Sequence, residues 1–332
     1  MSRVEEKTMI KAIVRDQYGS PDVLKLEEIE KPVPDDDEVL VKVHAASVNT
    51  ADLDGLSGLP RAARLATGWF KPRSRAMGLD VAGSVESVGA DVTSLRPGDE
   101  VWADLFAYGT GAFAEYVCAP AKGFHLKPAG LTFEEAATAP HSGVLALQSL
   151  LGPGPIEPGQ RVLVNGGGGA VGPFAIQIAK SFGAEVTGVD HTAKLDLMRL
   201  VGADHVIDYT AEDFTRNGQR YDLILNIAVN RSVLAFRRSL NAGGRYSFIA
   251  ASIGGLFSTA ILGTLISLGG SKRMGVFMWT PNHRDDMEVL KSLFETGKIK
   301  PMIDRRFELA EVPDALRFQA QGRARGKLVI TI

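Results

Sequence analysis

A glycine-rich loop between a short apolar strand and a helix constrains this chain more than any other feature of its sequence. The stretch Arg161–Val164 predicts a strand that leads directly into NGGGGAVG at residues 165–172. After this loop, apolar residues recur at helical spacing as far as Phe182, and Gly183 ends the predicted helix. A loop of the form G-x-G-x-x-G in this context binds the pyrophosphate of a dinucleotide, because free N–H groups and the helix dipole attract phosphate.

Each glycine of the motif is predicted to have its own role. We expect Gly167 to allow a tight turn and Gly169 to let the pyrophosphate lie against the backbone. Gly172 is expected to allow close packing of the helix on the strand. Ala170 and Val171 lie between the last two glycines and are predicted to contact the cofactor as well. A glycine loop without a ligand is the alternative, and the strand and helix around the motif disfavour it.

The acid at the end of the next predicted strand bears on the choice of cofactor. A carboxylate at Asp190 would accept hydrogen bonds from the adenosine ribose and repel a 2′-phosphate. Lys194 would offset that repulsion, although a solvated helix lysine is the simpler interpretation. Tyr209, after the third strand, is also predicted to lie near this ribose. The cofactor is therefore NADH or NADPH, and the preference stays open.

The organisation of the chain changes near residue 160. Strand and helix signals alternate from there to Trp279, which predicts a doubly wound parallel sheet with helices on both faces, an α/β fold. The first third shows several short strands without helical periodicity, which predicts a small irregular barrel. An amphipathic helix after Pro281, a short helix at Pro313–Gln319 and a strand at Leu328–Ile332 are expected to complete this barrel domain. The predicted boundaries are 1–128, 129–280 and 281–332, with the first and last parts forming one domain.

Length, composition and charge limit the classes of function. The 332 residues suggest two domains, and a content of 45% hydrophobic and 23% charged residues is typical of a soluble protein with sizeable cores. The net charge of −2 argues against a dedicated nucleic-acid or anionic-membrane surface. The single cysteine, Cys118, excludes an intramolecular disulfide and fits a reducing compartment. With no signal-peptide pattern, and with the apolar stretch Ile253–Gly270 too interrupted to span a bilayer, we expect a cytoplasmic protein without nucleic-acid or membrane partners.

Two further segments suggest interactions. Residues 59–75 hold four arginines and one lysine together with Trp69 and Phe70. This stretch is interpreted either as a mobile lid that grips a polar or phosphorylated substrate or, more simply, as a solvated loop. The strand expected at Met274–Trp279 would lie at the sheet edge, which predicts a homodimer formed through this edge.

Several segments in a fixed order carry a family resemblance. They are EVLVKVHAASVNTADL, MGLDVAGSVESVGADVTSLRPGDEV, GAFAEYVCAP, NGGGGAVGPFAIQIAK, GADHVIDY and ARGKLVITI. In this order, and from Lys11 to Ile332, the chain resembles the medium-chain dehydrogenase/reductase superfamily. The resemblance implies a Rossmann doubly wound parallel sheet inserted into a GroES-like β-barrel domain, with nicotinamide and substrate held in a cleft between the two domains.

The same resemblance implies an enzyme without zinc. A structural zinc lobe requires a full set of cysteine ligands, and this chain has one cysteine in total. At the catalytic zinc positions the chain has Asn49 in place of a cysteine and Leu79-Asp80 in place of His-Glu. His141 stands at the remaining ligand position, and one imidazole does not hold a catalytic zinc. Asp80 is interpreted as a structural acceptor.

What remains resembles the zinc-free quinone oxidoreductases and the enone or enoyl reductases. Such enzymes transfer a hydride from NAD(P)H to a quinone or an α,β-unsaturated carbonyl. Asn49 is expected to lie beside the nicotinamide and the substrate carbonyl as a hydrogen-bond donor, or else to be a buried amide that fixes its loop. Enoyl reductases have a tyrosine shortly after this asparagine; here there is none, so Asp52 or water is the candidate proton donor, which favours quinones or enones as substrates. Leu145 replaces a threonine that faces the nicotinamide in many relatives.

The resemblance places further residues near the cofactor and leaves alternatives open. Asn226 and Ile227 are expected to end a strand beneath the nicotinamide ribose, and Ile249 to end the next strand. Lys327 is interpreted either as reaching the cofactor or, more simply, as a surface lysine.

Two other functions remain possible on this sequence. One is a zinc-free alcohol dehydrogenase, for which only His44, Asp52 or His141 offers a proton acceptor. The other is a non-catalytic NAD(P)H-binding protein that responds to redox state.

Overall fold

The computed structural model describes residues 8–59, 61, 64–152, 154–228, 230–249 and 258–332. The strands are β1 Met9–Val14, β2 Lys25–Glu30, β3 Glu38–Val48, β4 Asp80–Val88, β5 Glu100–Asp104, β6 Tyr116–Pro120, β7 His125–Leu126, β8 Arg161–Asn165, β9 Glu185–Asp190, β10 His205–Asp208, β11 Tyr221–Asn226, β12 Leu240–Phe248, β13 Arg273–Val276, β14 Ile303–Glu308 and β15 Lys327–Thr331. The α-helices are α1 Thr50–Ser57, α2 Arg64–Thr67, α3 Phe133–Ala137, α4 Pro140–Leu151, α5 Gly172–Ser181, α6 Leu195–Leu200, α7 Val233–Ser239, α8 Thr264–Leu268, α9 Arg284–Glu295 and α10 Val312–Ala320. A π-helical turn at Thr259–Gly263 precedes α8. The chain forms two compact units: unit 1 is Met1–His141 with Ile303–Ile332, and unit 2 is Ser142–Met302.

Unit 1 is organised around its longest strand, β3. One edge of β3 pairs with β4 in antiparallel fashion, and the other edge is shared between β6 and β15. The residues Val39, Val41 and Val43 of β3 are buried, whereas Lys42 on the opposite face is exposed. The resulting seven-stranded sheet has the order β14-β15-β3-β4-β5-β7, with β6 beside β3. Its buried face forms one apolar core to which helix α10 also contributes.

Unit 2 contains the predicted parallel sheet. Its six strands have the order β10-β9-β8-β11-β12-β13, and every neighbouring pair is parallel. From β8 the chain adds β9 and β10 on one side of that strand, and it then crosses to add β11, β12 and β13 on the other side. The direction of winding therefore reverses between β8 and β11. Ligands bind at such a switch point, outside the carboxyl ends of the strands. The doubly wound α/β prediction is confirmed.

Helix α5 follows the glycine loop as the sequence predicts. Pro173 lies in its first turn, where a missing N–H is tolerated. Gly183 has φ +82°, the left-handed conformation that ends a helix and favours glycine. One face of α5 is fully buried, including Phe174 and Ile178. This burial fixes the start of the helix, and therefore the glycine loop, against the sheet.

The unit boundaries differ from the boundaries expected from sequence in two places. Helix α9 packs in unit 2. Its buried apolar face brings the ring centroid of Phe294 to 6.2 Å from that of Phe174 in α5. Helix α3 packs in unit 1 against β3 and β4, where Phe133 stacks on His44. The amphipathic pattern of α9 showed that one face would be buried, but not which domain would bury it.

Strand β6 begins at Tyr116, because the backbone of the preceding Phe113 bonds to Met77 and Ile13. Of the apolar stretch Ile253–Gly270, residues 253–257 lie outside the described residues. Within the part of the chain that the structure describes, no helix has both the length and the apolar character needed to cross a bilayer.

Candidate active site

The glycine loop in unit 2 turns one residue earlier than predicted. Gly166 has φ +93°, a conformation that L side chains rarely adopt, so the tight turn is made here. Gly167 is needed for a different reason: a Cβ at this position would lie 2.6 Å from Sδ of Met198. The role assigned to Gly167 is therefore corrected from turning the chain to allowing close packing of α6.

The remaining glycines form an open cradle. A Cβ on Gly172 would lie 2.4 Å from the carbonyl carbon of Gly167, so this glycine allows the start of the helix to approach the loop backbone, whereas close packing on the strand was the role expected. A Cβ on Gly169 would meet only the carbonyl oxygen of Gly166, at 3.6 Å. Gly169 and Ala170 are partly exposed at the tip of the loop, while Val171 is buried beneath it. This surface, at the N-terminus of a ten-residue helix, fits a pyrophosphate.

Asp190 lies directly beside the cradle and is bonded to it. Its Oδ2 accepts a hydrogen bond from the N–H of Gly168 at 2.9 Å, and its Oδ1 accepts one from the N–H of His191 at 2.8 Å. Nζ of Lys194 lies 4.0 Å from Oδ1, and the Lys194 side chain is only 12% exposed, so the interpretation as a solvated lysine is wrong. The backbone of Tyr209 donates to the carbonyl oxygen of Asp190. The structure therefore brings together the three residues predicted near the adenosine ribose.

A buried amide network joins the ends of the two strands at the switch point. Nδ2 of Asn165 donates to Oδ1 of Asn226 at 2.6 Å, and Nδ2 of Asn226 donates to the hydroxyl of Tyr246 at 2.9 Å. Burial raises the pKa of Tyr246 to about 12, so its hydroxyl keeps its proton. The backbone N–H groups of Ile227 and Ile249 bond to Asn165 and Asn226, which holds both residues beside the network. Neither Asn165 nor Tyr246 was identified from the sequence as a member of the site. The available signal was that β8 and β11 both end in an asparagine.

Unit 1 holds a second constellation, centred on the buried carboxylate of Asp80. Oδ2 accepts hydrogen bonds from Ser47 at 2.9 Å, from the amide of Asn49 at 2.9 Å and from Nζ of Lys327 at 3.2 Å. Oδ1 accepts from the backbone N–H of His141 at 2.8 Å. Four donors converge on a side chain with no exposed surface. Asp80 is thus a structural acceptor, as interpreted from the sequence.

Lys327 is buried within this cluster. Its side chain is 1% exposed, and its Nζ donates to Oδ1 of Asn49 at 2.6 Å. The interpretation of Lys327 as a surface lysine is therefore wrong. A buried ammonium group is stable only where hydrogen-bond acceptors surround it, and here Asn49 and Asp80 provide them. The amide of Asn49 is engaged at both ends, by Lys327 at its oxygen and by Asp80 at its nitrogen. This bonding favours the interpretation of Asn49 as a buried amide that fixes its loop.

Asp52 is the group in this cluster best suited to proton transfer. It lies in the first turn of α1, where its Oδ2 accepts from the backbone N–H of Asn49 at 2.8 Å. Its Oδ1 is buried without a hydrogen-bond partner among the residues described. Burial, and then the charge of Asp80, raise the pKa of Asp52 from an ordinary 3.8 to about 7, against the opposing hydrogen bond from Asn49. A carboxyl group that keeps its proton near neutral pH can act as a general acid.

His141 forms a dyad that sequence reasoning did not anticipate. Its Nδ1 lies 3.0 Å from Oδ2 of Asp104, at the end of β5. Burial opposes the charged imidazole, but the Asp104 carboxylate outweighs it, so the pKa of His141 is raised. The acid that ends the apolar run of EVWAD was the only sequence signal for Asp104.

The other residues considered as proton acceptors or metal ligands lie in different surroundings. His44 contacts Ser84 through Nε2 and stacks on Phe133, and burial lowers its pKa. Leu145 is a buried residue of α4 in unit 2. Across the described residues, no group of three or more His, Cys, Asp or Glu side chains is arranged to hold a metal ion.

Comparison with known proteins places the chain in a family. Residues 35–129 match the alcohol dehydrogenase GroES-like domain, and residues 201–330 match the zinc-binding dehydrogenase domain. The NAD(P)H oxidoreductase RTN4IP1 of Mus musculus, a mitochondrial protein, is 30% identical over 98% of this chain and 90% of its own length. A 2-methylene-furan-3-one reductase of Solanum lycopersicum is 35% identical over 94% of this chain and 76% of its own length. The quinone oxidoreductase structure from Coxiella burnetii is 28% identical, covers 98% of this chain and 100% of its own, and has a TM-score of 0.86. The sequence resemblance is thus confirmed, and the chain belongs to the medium-chain dehydrogenase/reductase superfamily.

Proposed function

We propose that this protein is a zinc-independent oxidoreductase that transfers a hydride from NAD(P)H to a quinone or an α,β-unsaturated carbonyl. The observation that carries the proposal is Asp52, a buried carboxyl group with a pKa of about 7 next to Asn49. Relatives named as a furanone reductase and a quinone oxidoreductase support the same substrate classes. Reduction of either substrate requires a proton as well as a hydride, and Asp52 offers one.

The residues of unit 2 hold the dinucleotide in this proposal, and the bound dinucleotide supplies the hydride. The pyrophosphate lies on the glycine cradle and the adenosine ribose faces Asp190, Lys194 and Tyr209. The nicotinamide end lies at the amide network. The full set of proposed cofactor contacts is Gly167, Gly169, Ala170, Val171, Gly172, Asp190, Lys194, Tyr209, Asn226, Ile227 and Ile249. The bonding of Lys327 supports a different role for that residue, which is to position Asn49.

Asp52 supplies the proton on the substrate side. Once an α,β-unsaturated carbonyl has accepted a hydride at carbon, its enolate takes the proton; a quinone takes it at oxygen and becomes the quinol. In both cases the O–H bond of Asp52 breaks and leaves a carboxylate, which a solvent proton later neutralises. Asn49 fixes this carboxyl through its backbone N–H.

The primary test is oxidation of NADH and NADPH by a quinone, an enone, an enal and a simple ketone, with and without a metal chelator. We expect chelator-resistant oxidation by the quinone or the enone. Oxidation confined to the ketone would favour the zinc-free alcohol dehydrogenase. Dinucleotide binding without turnover of any acceptor would favour the redox-responsive binding protein.

The role of Asp52 is tested by the variant Asp52→Asn. We expect kcat to fall by about 100-fold or more, and the decrease of kcat above neutral pH to disappear. Asp54→Asn is the matched control, because Asp54 lies on the same helix and burial also raises its pKa. If Asp54→Asn abolishes the pH dependence while Asp52→Asn keeps it, the proton donor has been misassigned.

We further propose that both nicotinamide cofactors are accepted. The two oxygens of Asp190 already accept backbone hydrogen bonds, which reduces their repulsion of a 2′-phosphate, and Lys194 provides a nearby cation. The variant Lys194→Ala should raise KM for NADPH by about tenfold, the value of one lost charge-assisted hydrogen bond. KM for NADH serves as the internal control and should change little.

We also propose a homodimer formed through the edge strand β13. The adjoining turn and helix α8 expose Ile261, Leu265 and Leu268, which are 60%, 61% and 81% exposed and form an apolar surface beside this edge. Leu265→Asp should convert the protein to a monomer in light scattering, whereas Leu200→Asp, at another exposed leucine, should not. A wild-type protein that is already monomeric would refute the dimer.

A cytoplasmic location is part of the proposal. It is supported by the single cysteine, Cys118, whose thiol has a pKa raised to about 12 by burial and by nearby acids, and therefore stays protonated. Fractionation of cells that produce the protein would test it. Recovery in an organelle fraction would contradict this proposal, and the mitochondrial relative gives a specific reason to look there.

A further inference from the structure

An apolar tip projects from unit 1 after helix α1. Phe70 is 91% exposed, the most exposed large apolar side chain of the described residues, and its neighbour Trp69 is 56% exposed. Leu59 and Leu65 add 51% and 71% exposure in the same segment. Adjacent exposed apolar side chains of this kind commonly mark a site of protein or membrane interaction. We call Leu59, Arg61 and residues 64–73 the aromatic tip.

The turn that carries the aromatic pair is held by specific contacts. Gly68 has φ +117°, and a Cβ on it would lie 2.0 Å from the carbonyl oxygen of Lys71, so only glycine fits the turn. The N–H of Arg73 closes the turn by donating to the carbonyl oxygen of Thr67 at 2.8 Å. The hydroxyl of Tyr18 donates to the carbonyl oxygen of Gly68 at 2.8 Å. Trp69 and Phe70 are therefore exposed to solvent on a turn that hydrogen bonds hold in place.

Positively charged residues flank the aromatic pair along the chain. Arg61, Lys71 and Arg73 are exposed and form no ion pair within the described part of the chain. The sequence has no Asp or Glu from residue 55 to residue 79. Arg75, which follows the tip, forms ion pairs with Asp16 and Glu27, so its charge is compensated. The tip thus carries three exposed, uncompensated cations, besides Arg64, which donates to the carbonyl oxygens of Ser57 and Gly58, although the whole chain has a net charge of −2.

We infer that the aromatic tip docks on the surface of an anionic lipid bilayer. Trp and Phe side chains bind at the depth of the lipid headgroups, and flanking Lys and Arg bind the acidic headgroups. Each such cation strengthens binding by about fivefold. The exposed cations beside Trp69 and Phe70, with no acid between residues 55 and 79, favour an anionic bilayer over a protein partner.

This inference revises the expectation of no membrane partner, which rested on the net charge of the whole chain. Whole-chain charge averages the tip with acidic surface elsewhere, so it does not report a local patch. The benefit to the enzyme rests on the proposed function, since quinones with long apolar tails reside in bilayers. The docking itself does not depend on that chemistry.

Sedimentation of the full chain with vesicles tests the inference. We expect binding to vesicles of phosphatidylcholine with phosphatidylglycerol, and binding at least about tenfold weaker to phosphatidylcholine alone. The double variant Trp69→Ser/Phe70→Ser should weaken binding to anionic vesicles by about tenfold or more, and Lys71→Gln by about fivefold. The matched control is Leu200→Ser, because Leu200 is 75% exposed in unit 2. This control should bind as the wild type does.

Enzyme assays separate docking from the proposed reaction. The double variant should reduce a water-soluble short-chain quinone at the wild-type rate, but a long-chain quinone held in anionic vesicles at least about fivefold more slowly. Failure of the wild type to bind anionic vesicles, or equal binding by the double variant, would overturn the inference. If the double variant instead loses turnover of the soluble quinone and the wild type does not bind vesicles, the tip is a substrate lid and docking is refuted. Failure of the wild type to reduce both the soluble quinone and a soluble enone refutes the proposed function alone.

Discussion

Replacing the carboxyl of Asp52 should change how the stability of the protein depends on pH. The native protein holds the Asp52 proton up to about pH 7, whereas the unfolded chain releases it near 3.8. Between these values the native state binds more protons than the unfolded state, so the free energy of unfolding falls as the pH rises. Asp52 therefore destabilises the protein on the alkaline side of this window.

The size of the effect follows from the shift in pKa. One pKa unit corresponds to about 1.4 kcal/mol, so ionising Asp52 costs the native state about 4 kcal/mol in full. Between about pH 5 and about pH 8, the free energy of unfolding should fall by about 2–3 kcal/mol from this residue alone. Asp52→Asn should remove this decrease, since an amide does not ionise. The Asn oxygen can still accept the backbone hydrogen bond that Asp52 receives from Asn49.

The assay is urea unfolding of the wild type and Asp52→Asn across this pH range. The difference between the two free energies should grow in favour of the variant as the pH rises. Asp91→Asn, at an exposed aspartate, is the control and should follow the wild type at every pH. Parallel curves for wild type and Asp52→Asn would show that the buried carboxyl does not hold its proton, and the proposed general acid would fail with it.

Three further predictions concern the glycine loop and the buried lysine. Gly172→Ala should destabilise the protein by about 1–3 kcal/mol and abolish dinucleotide binding, because its Cβ would lie 2.4 Å from loop backbone. Gly169→Ala should unfold within about 0.5 kcal/mol of the wild type yet bind dinucleotide more weakly, and unchanged affinity would argue against the cradle. Lys327→Met should cost about 3–5 kcal/mol in urea unfolding, because a buried carboxylate loses its cation. The exposed-site control Lys298→Met should cost little, and equal losses would refute the pairing.

The sequence predicts well those parts of the fold whose structure depends on residues close together in the chain. Strand β8, the glycine loop and helix α5 follow one another within about twenty residues, and their patterns depend on neighbours in the chain. The alternation of strands and helices then restricts the topology, since parallel crossovers are right-handed and unknotted. Gly166 was missed as the turning residue because four consecutive glycines are equivalent in sequence, and only the backbone shows which has positive φ.

The polar cluster of unit 1 was harder to predict because its contacts are distant in sequence. Lys327 and Asn49 are separated by 278 positions, and no local pattern links a lysine near the C-terminus to an asparagine at the start of α1. Burial of Lys327 depends on β15 pairing with β3, which places the lysine beside Asn49. The dyad of His141 and Asp104 has the same origin, because its members come from separate elements.

The same long-range contacts give the proposed proton donor its chemistry. Lys327 and His141 lower the pKa of Asp52, while burial and Asp80 raise it by more. Asp80 and Asp104 in turn raise the pKa of His141, so the cations that restrain Asp52 are themselves held in place by carboxylates. Because these groups share one buried region, a change at Lys327 alters the acidity of Asp52 without any contact to substrate. The acid strength of this site is therefore a property of the assembled cluster, which is why the motif around Asn49 and Asp52 alone did not reveal it.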